Sequence, residues 1–336
     1  MSKKSRMRLF TAIEKKRNSR LLTYITGDKP NFPTKIADDV IPLLYKQLKI
    51  IGKVEKIDLL IYSRGGNTLT PWRLINLLKE FAEQIAILIP HRAHSAATLL
   101  TLGADEIIMG PLGELSPIDP SVTTPFNPTI KSPNNVNQPI PVSVEDVISY
   151  FNLAREKVGI KSEESLVEIF KKLTDQIPPL ALGSINRSHS QIRDMANRML
   201  DISGKVDSET KKKIVDILTE KLFNHEHMIN RKEAITYGLK VIFAESKEAG
   251  SIEEELWALY EEYVREMQLN EPLNPKKIMK RRTTDRSFKL SRALIESRNM
   301  IQSFDTRIKI HPVIQGDVTN FNIDVEDLGW EEVSYK

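Results

Sequence analysis

The 336-residue chain contains no cysteine, so disulfides, thiolate metal sites and cysteine nucleophiles are excluded. It has no run of the roughly 18 apolar residues needed to span a bilayer. Its first residues, MSKKSRMRLF, lack the apolar core of a secretory signal. No block of 20–50 residues recurs, which excludes solenoids and propellers. These absences point to a cytoplasmic globular protein. Acidic residues are scarce at the start: residues 1–20 hold eight Lys/Arg against one Glu, although the whole chain is only +4. A second basic cluster, KKIMKRRTTDRSFK, spans 276–289. Each reads as a solvated segment or as a polyanion or membrane-surface contact.

Hydrophobic periodicity supplies the organisation. SRLLTYITG reads as a strand ending at Gly27, and IADDVIPLLYKQLKII as a helix closed by Gly52. KIDLLIYS and IAILIP are short apolar runs of the kind buried in parallel sheets, and EIIMG is a third. WRLINLLKEFAEQ and HSAATLLTLGA are the helices between them. Strand, helix, strand, helix, strand from 57 to 109 predicts parallel βαβ units with right-handed crossovers. Residues 111–142 are rich in Pro, Asn, Ser and Thr, so they are expected to be loop. Helices resume at 143, a charged helix follows 251, SRALIESRNM reads as a further helix, and DTRIKIHPVIQGDVTNFNID as a β-hairpin.

Two strand ends could carry chemistry. SRGGN at 63–67 places two adjacent glycines after a buried strand, where a tight turn can aim N–H groups outward toward an anion. The pattern is neither GxGxxG nor a P-loop, and a plain turn would also satisfy it. Ser95 stands at the matching place of the next unit, after HRAH and before a helix of small residues. It reads as a helix cap or as a nucleophile at a helix N-terminus, where the Ala96 N–H points at a developing oxyanion.

The pair, taken together with IYSRGGNTLTPW, HRAHSAATLLTLGADEIIMGPLGELSPIDP and NHEHMINRKEAITYGLKV, resembles the Clp protease/crotonase superfamily. Within it, the chain resembles the serine dehydrogenase proteinase family of Clp-fold serine proteinases from about residue 20 to 245. The resemblance implies an α/β, Clp protease/crotonase-like spiral of βαβ units with a helical and small β C-terminal extension. The division it suggests is a basic N-terminal arm at 1–20, a catalytic domain at 21–245 with a loop at 111–142, and an extension at 246–336. It also implies a serine peptidase that forms an acyl-enzyme on Ser95, with an oxyanion hole from Gly66 and Ala96. Neither cofactor nor metal is expected, the substrate is a peptide or protein, and the chain is expected to form homo-oligomers.

One feature of the Clp pattern is missing. Where Clp proteases carry the catalytic histidine before a proline, this chain has Ile118, then Asp119 and Pro120. The serine dehydrogenase proteinase family is described with the order Ser, Asp, His, which Ser95, Asp119 and His225 would fulfil, with His227 as the alternative base. Asp119 also reads as a turn residue, and both histidines as capping or surface groups. His94 adjoins the nucleophile, and Lys131 would serve a Ser-Lys dyad of the kind found in signal peptide peptidase A relatives. His189 shares a helical face with Ile185 and Ile192 and reads as core or interface. Two rival functions keep some of these features. One is a crotonase-like acyl-CoA-handling protein that uses the same amides without a nucleophile. The other is a non-catalytic oligomeric scaffold that binds polyanions through 1–20 and 276–289.

Overall fold

The computed structural model describes residues 3–118, 121–122, 126–131, 137–140, 142–204, 206–222, 227–280, 284–315 and 318–333. Its centre is a parallel sheet. Helix α1 (Lys3–Arg17) leads into β1 (Arg20–Thr26), and α2 (Val40–Ile51) connects β1 to β2 (Val54–Tyr62). Next come α3 (Thr70–Lys79), β3 (Ala82–Ile89), the two-residue β4 (Arg92–Ala93), α4 (Ala96–Leu102), β5 (Glu106–Met109) and β6 (Glu114–Leu115). β1, β2, β3 and β5 are parallel neighbours, with Leu22 opposite Leu59, Leu59 opposite Ile87 and Leu88 opposite Ile108. The strand Val241–Phe243 adds to β5, also in parallel. The expected α/β architecture of βαβ units is what the chain adopts.

The strands lack polar alternation because both faces of the sheet are covered. One face meets α2, α3 and α4, which bury Val40, Leu44, Leu74, Leu78 and all seven residues of α4. The opposite face, bearing Leu21, Ile25, Leu60 and Leu88, packs against α1 and the helix Glu253–Met267 through Phe10, Ile13, Leu256 and Tyr263. The segment expected as a basic arm is therefore a docked helix. Arg6, Phe10, Ile13 and Arg17, three or four residues apart, form its buried stripe. Arg17 donates from Nε and Nη2 to the two carboxylate oxygens of fully buried Asp58, at 2.9 and 3.1 Å, and from Nη2 to Glu106 at 2.6 Å. Arg6 is paired with Glu266 and Glu296. Exposed basic groups on α1, such as Lys4, Arg8 and Lys15, remain, but the most internal cations are spent on the fold.

The C-terminal part also differs from expectation. Residues 291–300, expected to be helical, instead supply the second half of the strand Arg286–Glu296 and the short connection after it, and this strand runs antiparallel to β1 with Thr23 opposite Glu296. Helix-favouring Leu, Arg, Ala and Glu lose here to a site with a strand on each side, where ladder hydrogen bonds and packing decide. The expected hairpin is present as the antiparallel strands Ile301–Gln315 and Val318–Val333, with residues 316–317 outside the described residues. The extension thus continues the central sheet, which reaches eight strands in the order Val241–Phe243, β5, β3, β2, β1, Arg286–Glu296, Ile301–Gln315, Val318–Val333. No helix among the described residues is long and apolar enough to cross a membrane.

Truncating Asp58 leaves the Arg17 guanidinium buried with half its partners. Asp58→Ala is expected to cost about 3–5 kcal/mol, the usual penalty for breaking a buried ion pair, as read from urea unfolding. A loss below about 1 kcal/mol, typical of an exposed pair, would show that α1 is not anchored through Arg17.

Candidate active site

The site lies where β2 and β3 end side by side. Beyond β2, Ser63 pairs with Ala93: its N–H donates to the Arg92 carbonyl and its own carbonyl accepts from the His94 N–H, both at 3.0 Å. This pairing draws HRAHS across the end of β2 and sets Ser95 against the glycines. Gly65 has φ +100°, and a Cβ there would stand 2.7 Å from Ser95 Cβ, 2.9 Å from His94 O and 3.2 Å from Ala96 N. Gly66 has φ +155° and backs onto Ile36, whose carbonyl oxygen would meet a Cβ at 2.2 Å. The first glycine admits the serine and the second admits the neighbouring chain.

The peptide between the two glycines is fixed in direction. The Gly65 carbonyl accepts from Ile36 N–H at 2.9 Å, so in a trans peptide the Gly66 N–H points the opposite way, away from Ile36. Neither the Gly66 nor the Ala96 N–H has an acceptor among the described residues. These are the two amides expected from the sequence to receive an oxyanion.

Ser95 sits at φ +50°, ψ −111°, a conformation that costs a non-glycine residue roughly 1–3 kcal/mol. Its side chain makes no capping hydrogen bond to α4, so the helix-cap reading does not hold; a cap residue takes extended dihedrals and accepts from the first turn. The residue is 7% exposed. A strained strand-to-helix turn that presents a serine this way has the form of a nucleophile elbow. The turn is held from below: Ser95 N–H donates to Ser116 Oγ at 2.8 Å, Ser116 N–H to Thr98 Oγ1 at 3.1 Å, and Thr98 Oγ1 to Ala93 O at 2.7 Å. Sequence reading passed over Ser116 and Thr98. Their one signal is a hydroxyl among otherwise apolar neighbours.

A small sheet gathers the remaining segments. β4 runs parallel to β6, and the strand Ile229–Asn230 runs antiparallel to β6 with Ile229 opposite Leu115. The stretch after Leu115 and the stretch before Ile229 therefore leave the same end of this sheet, beside Ser95. Ile118 is fully buried and donates its N–H to Leu218 O at 2.8 Å. Asp119 and His225 lie outside the described residues. His227 is placed with Nε2 3.0 Å from Glu233 Oε1, an oxygen that also accepts from Tyr237. Burial alone would raise the Glu233 pKa, but the bonds from Tyr237 and His227 outweigh it and hold the carboxyl below its usual range.

His94 points into an ionic chain. Its Nε2 is 3.0 Å from Glu114 Oε1, which also accepts from Arg92 Nε at 3.1 Å. Arg92 Nη1 reaches Asp28 at 3.1 Å, and Asp28 accepts from Tyr62 Oη at 2.6 Å. His91 Nδ1 lies 2.9 Å from Tyr260 Oη. Burial lowers the His91 pKa, with Arg92 adding to the effect, and pushes Tyr260 up to about 12, with nearby Asp28 contributing. Lys131 is exposed on a short strand pair, Thr129–Lys131 with Asn137–Pro139. His189, on the helix Pro179–Ser203, has Nε2 3.6 Å from Glu220. Among the described residues no group of three or more His, Asp and Glu is placed to hold a metal.

An uncapped serine on a strained turn, beside two amides without acceptors among the described residues, at the ends of parallel strands defines a class: α/β proteins with a strand-end serine site. The description "ClpP-like SDH-type serine proteinase" matches residues 1–177, just over half of the chain, and the chain belongs to that family. An uncharacterized protein of Methanocaldococcus jannaschii is 25% identical over 269 residues, covering 77% of this chain and 78% of its own. A second from the same organism is 29% identical over 124 residues, covering 35% and 42%. Among solved structures, a serine-to-alanine mutant of the 1510-N membrane-bound stomatin-specific protease is similar over 69% of this chain and 83% of its own, with 13% identity and a TM-score of 0.39. ClpP1 from Listeria monocytogenes is similar over 69% and 94%, with 14% identity and a TM-score of 0.36.

Adding one methyl group at Gly65 tests the close approach. Gly65→Ala combines positive-φ strain with a collision against Ser95 and is expected to destabilise by roughly 2–4 kcal/mol in urea unfolding. Gly52, at φ +76° with nothing within 4 Å of a Cβ, should lose only about 1–2 kcal/mol on the same change. Equal losses at the two positions would mean that Gly65 is needed only for its dihedral angles.

Proposed function

We propose that the chain is a serine peptidase that hydrolyses peptide bonds through an acyl-enzyme on Ser95. The observation that carries the reading is the Ser95 turn itself: a strained, uncapped serine pressed against Gly65, with the Gly66 and Ala96 amides free of acceptors among the described residues. Family membership supports it. Ser95 Oγ attacks the substrate carbonyl carbon while an imidazole takes the hydroxyl proton. The carbonyl oxygen becomes an oxyanion and receives the Gly66 and Ala96 N–H groups, which are already oriented and so need no reorganisation as charge develops. Collapse breaks the C–N bond, the imidazolium protonates the leaving amine, and water repeats the sequence to release the acid. His225 is assigned as this base and Asp119 as the group that orients it, on the family's Ser, Asp, His order, with His227 as the alternative. The antiparallel pairing of Ile229 with Leu115 supports the assignment, because it brings the flanks of both motifs to one side of Ser95.

Labelling the full chain with a fluorophosphonate, followed by peptide mass spectrometry, is expected to place the adduct on Ser95. Ser95→Ala should abolish labelling and peptidase activity, and His225→Ala or Asp119→Asn should lower kcat about 10³–10⁴-fold, as in other triads. The same loss in His227→Ala with His225→Ala active would move the base by two residues; in Lys131→Ala it would replace the triad by a dyad. No adduct at Ser95, with full activity in Ser95→Ala, would end the peptidase reading.

The chain is also proposed to act as a homo-oligomer, with the peptide or protein substrate as its other partner. The helix Glu163–Gln176 buries none of its residues; Val167 (51%) and Phe170 (49%) are exposed, and the Phe170 ring lies 6.1 Å from that of Phe151. Exposed apolar side chains three residues apart on one helix mark an interaction surface. Sedimentation velocity should show a multimer for the native chain and a monomer for Val167→Glu/Phe170→Glu. A native chain that sediments as a monomer at micromolar concentration would overturn it.

A further inference from the structure

We propose that Glu114 is a positioning residue for the Ser95 nucleophile, stapling the two side chains that flank Ala93. The inference rests on the peptidase reading and deepens it. β4 is only two residues long, and the chain must leave it in the strained turn at Ser95. Such a short strand cannot hold that turn by ladder hydrogen bonds alone. Beside it runs β6, whose Glu114 stands opposite Arg92 in the parallel register. The one oxygen Oε1 of Glu114 meets Arg92 Nε at 3.1 Å and His94 Nε2 at 3.0 Å. Side chains from the residues before and after Ala93 thus converge on a single carboxylate, one residue ahead of the nucleophile.

The staple is anchored beyond Glu114. Arg92 also reaches Asp28, two residues past the end of β1, and its Nη1 donates to Asn270 Oδ1 at 3.0 Å. Asp28 accepts from Tyr62 at the end of β2, and its other oxygen accepts from the Asn270 N–H at 3.2 Å. The ends of β1, β2 and β4 are therefore tied together by side chains as well as by the Ser63–Ala93 pairing. Both Glu114 and Asp28 are shielded from water, with side chains 16% and 3% exposed, so the contacts of Arg92 with them are weakly screened. Backbone geometry supports the same role. Ala97 N–H donates to the His94 carbonyl at 2.9 Å, and that carbonyl would stand 2.9 Å from a Cβ on Gly65. A shift of His94 would therefore move both the entry to α4 and the wall of the oxyanion site. Glu114 does not touch the reacting atoms. It acts through His94 and Arg92 on where Ser95 Oγ stands.

The test uses the full chain and two readouts, because a stabilising role alone would move neither. Glu114→Gln keeps the shape and removes the charge. Its kcat should fall roughly 10–100-fold, the loss expected when a reacting group is displaced by about 1 Å. KM should stay within about threefold, since Glu114 is not in the substrate's path. The rate of fluorophosphonate addition to Ser95, a single chemical step independent of peptide binding, should fall by the same factor as kcat. Glu114→Asp, which restores the carboxylate, should recover part of both rates and serves if the glutamine variant folds poorly. Native chain labelled at Ser95 with both variants labelled as fast would overturn the positioning role and leave the peptidase reading intact. A native chain not labelled at all would sink both. A rise in KM with kcat unchanged would also overturn it, by showing that Glu114 serves substrate binding.

Discussion

Everything at the site follows from how closely two pieces of backbone approach. Gly65 and Ser95 come together without room for a single added carbon, and that contact is possible only because the strands carrying them are parallel neighbours ending at the same height. Parallel strands in a βαβ unit deliver their C-terminal loops to one edge, so an amide from one loop and a side chain from the next can face a common point. The glycine pair then solves two packing problems at once, one against Ser95 and one against Ile36. The serine's own dihedral strain is held in place by hydroxyl contacts from Ser116 and Thr98 beneath it. The strain is local, but its support is spread over three segments.

The rest of the chain keeps those strand ends level. A parallel sheet must be covered on both faces, and here the second cover comes from two segments far apart in sequence, α1 and the helix Glu253–Met267, lying side by side. Buried charge fixes that arrangement. Arg17 ties α1 to Asp58 on β2 and Glu106 on β5, and Lys56 shares Glu106 at 2.8 Å. Buried ion pairs of this kind add little net stability over apolar packing, but they tolerate only one register. Sliding α1 by one turn would bury an unpaired guanidinium.

Much of this was legible in the sequence, and what was missed has a physical pattern. The apolar runs at 57–62 and 85–89 announced buried parallel strands, and SRGGN with Ser95 announced the two strand ends, because hydrophobic period and glycine pairing are local signals. Helix α1 reads first through its seven cations, and these mask the stripe of Phe10 and Ile13 among them. SRALIESRNM at 291–300 reads as helix by propensity, whereas pairing on both sides decides the conformation of 291–296. Ser116, Thr98 and Glu114 carry no local mark, since their importance comes from contacts across 18 to 22 residues that only the folded chain creates. Family order, not spacing, is what brings Asp119 and His225 to the proposed triad.

The last strand of the sheet sets a boundary of its own. Val318–Val333 pairs along one side with Ile301–Gln315, and it carries Asp324, Glu326, Asp327, Glu331 and Glu332 with no lysine or arginine. Were two such borders to meet, ten carboxylates would be crowded along one seam, so acidity here discourages runaway lateral growth of the sheet. An outermost ribbon charged in this way opposes zipping onto the same ribbon of another copy.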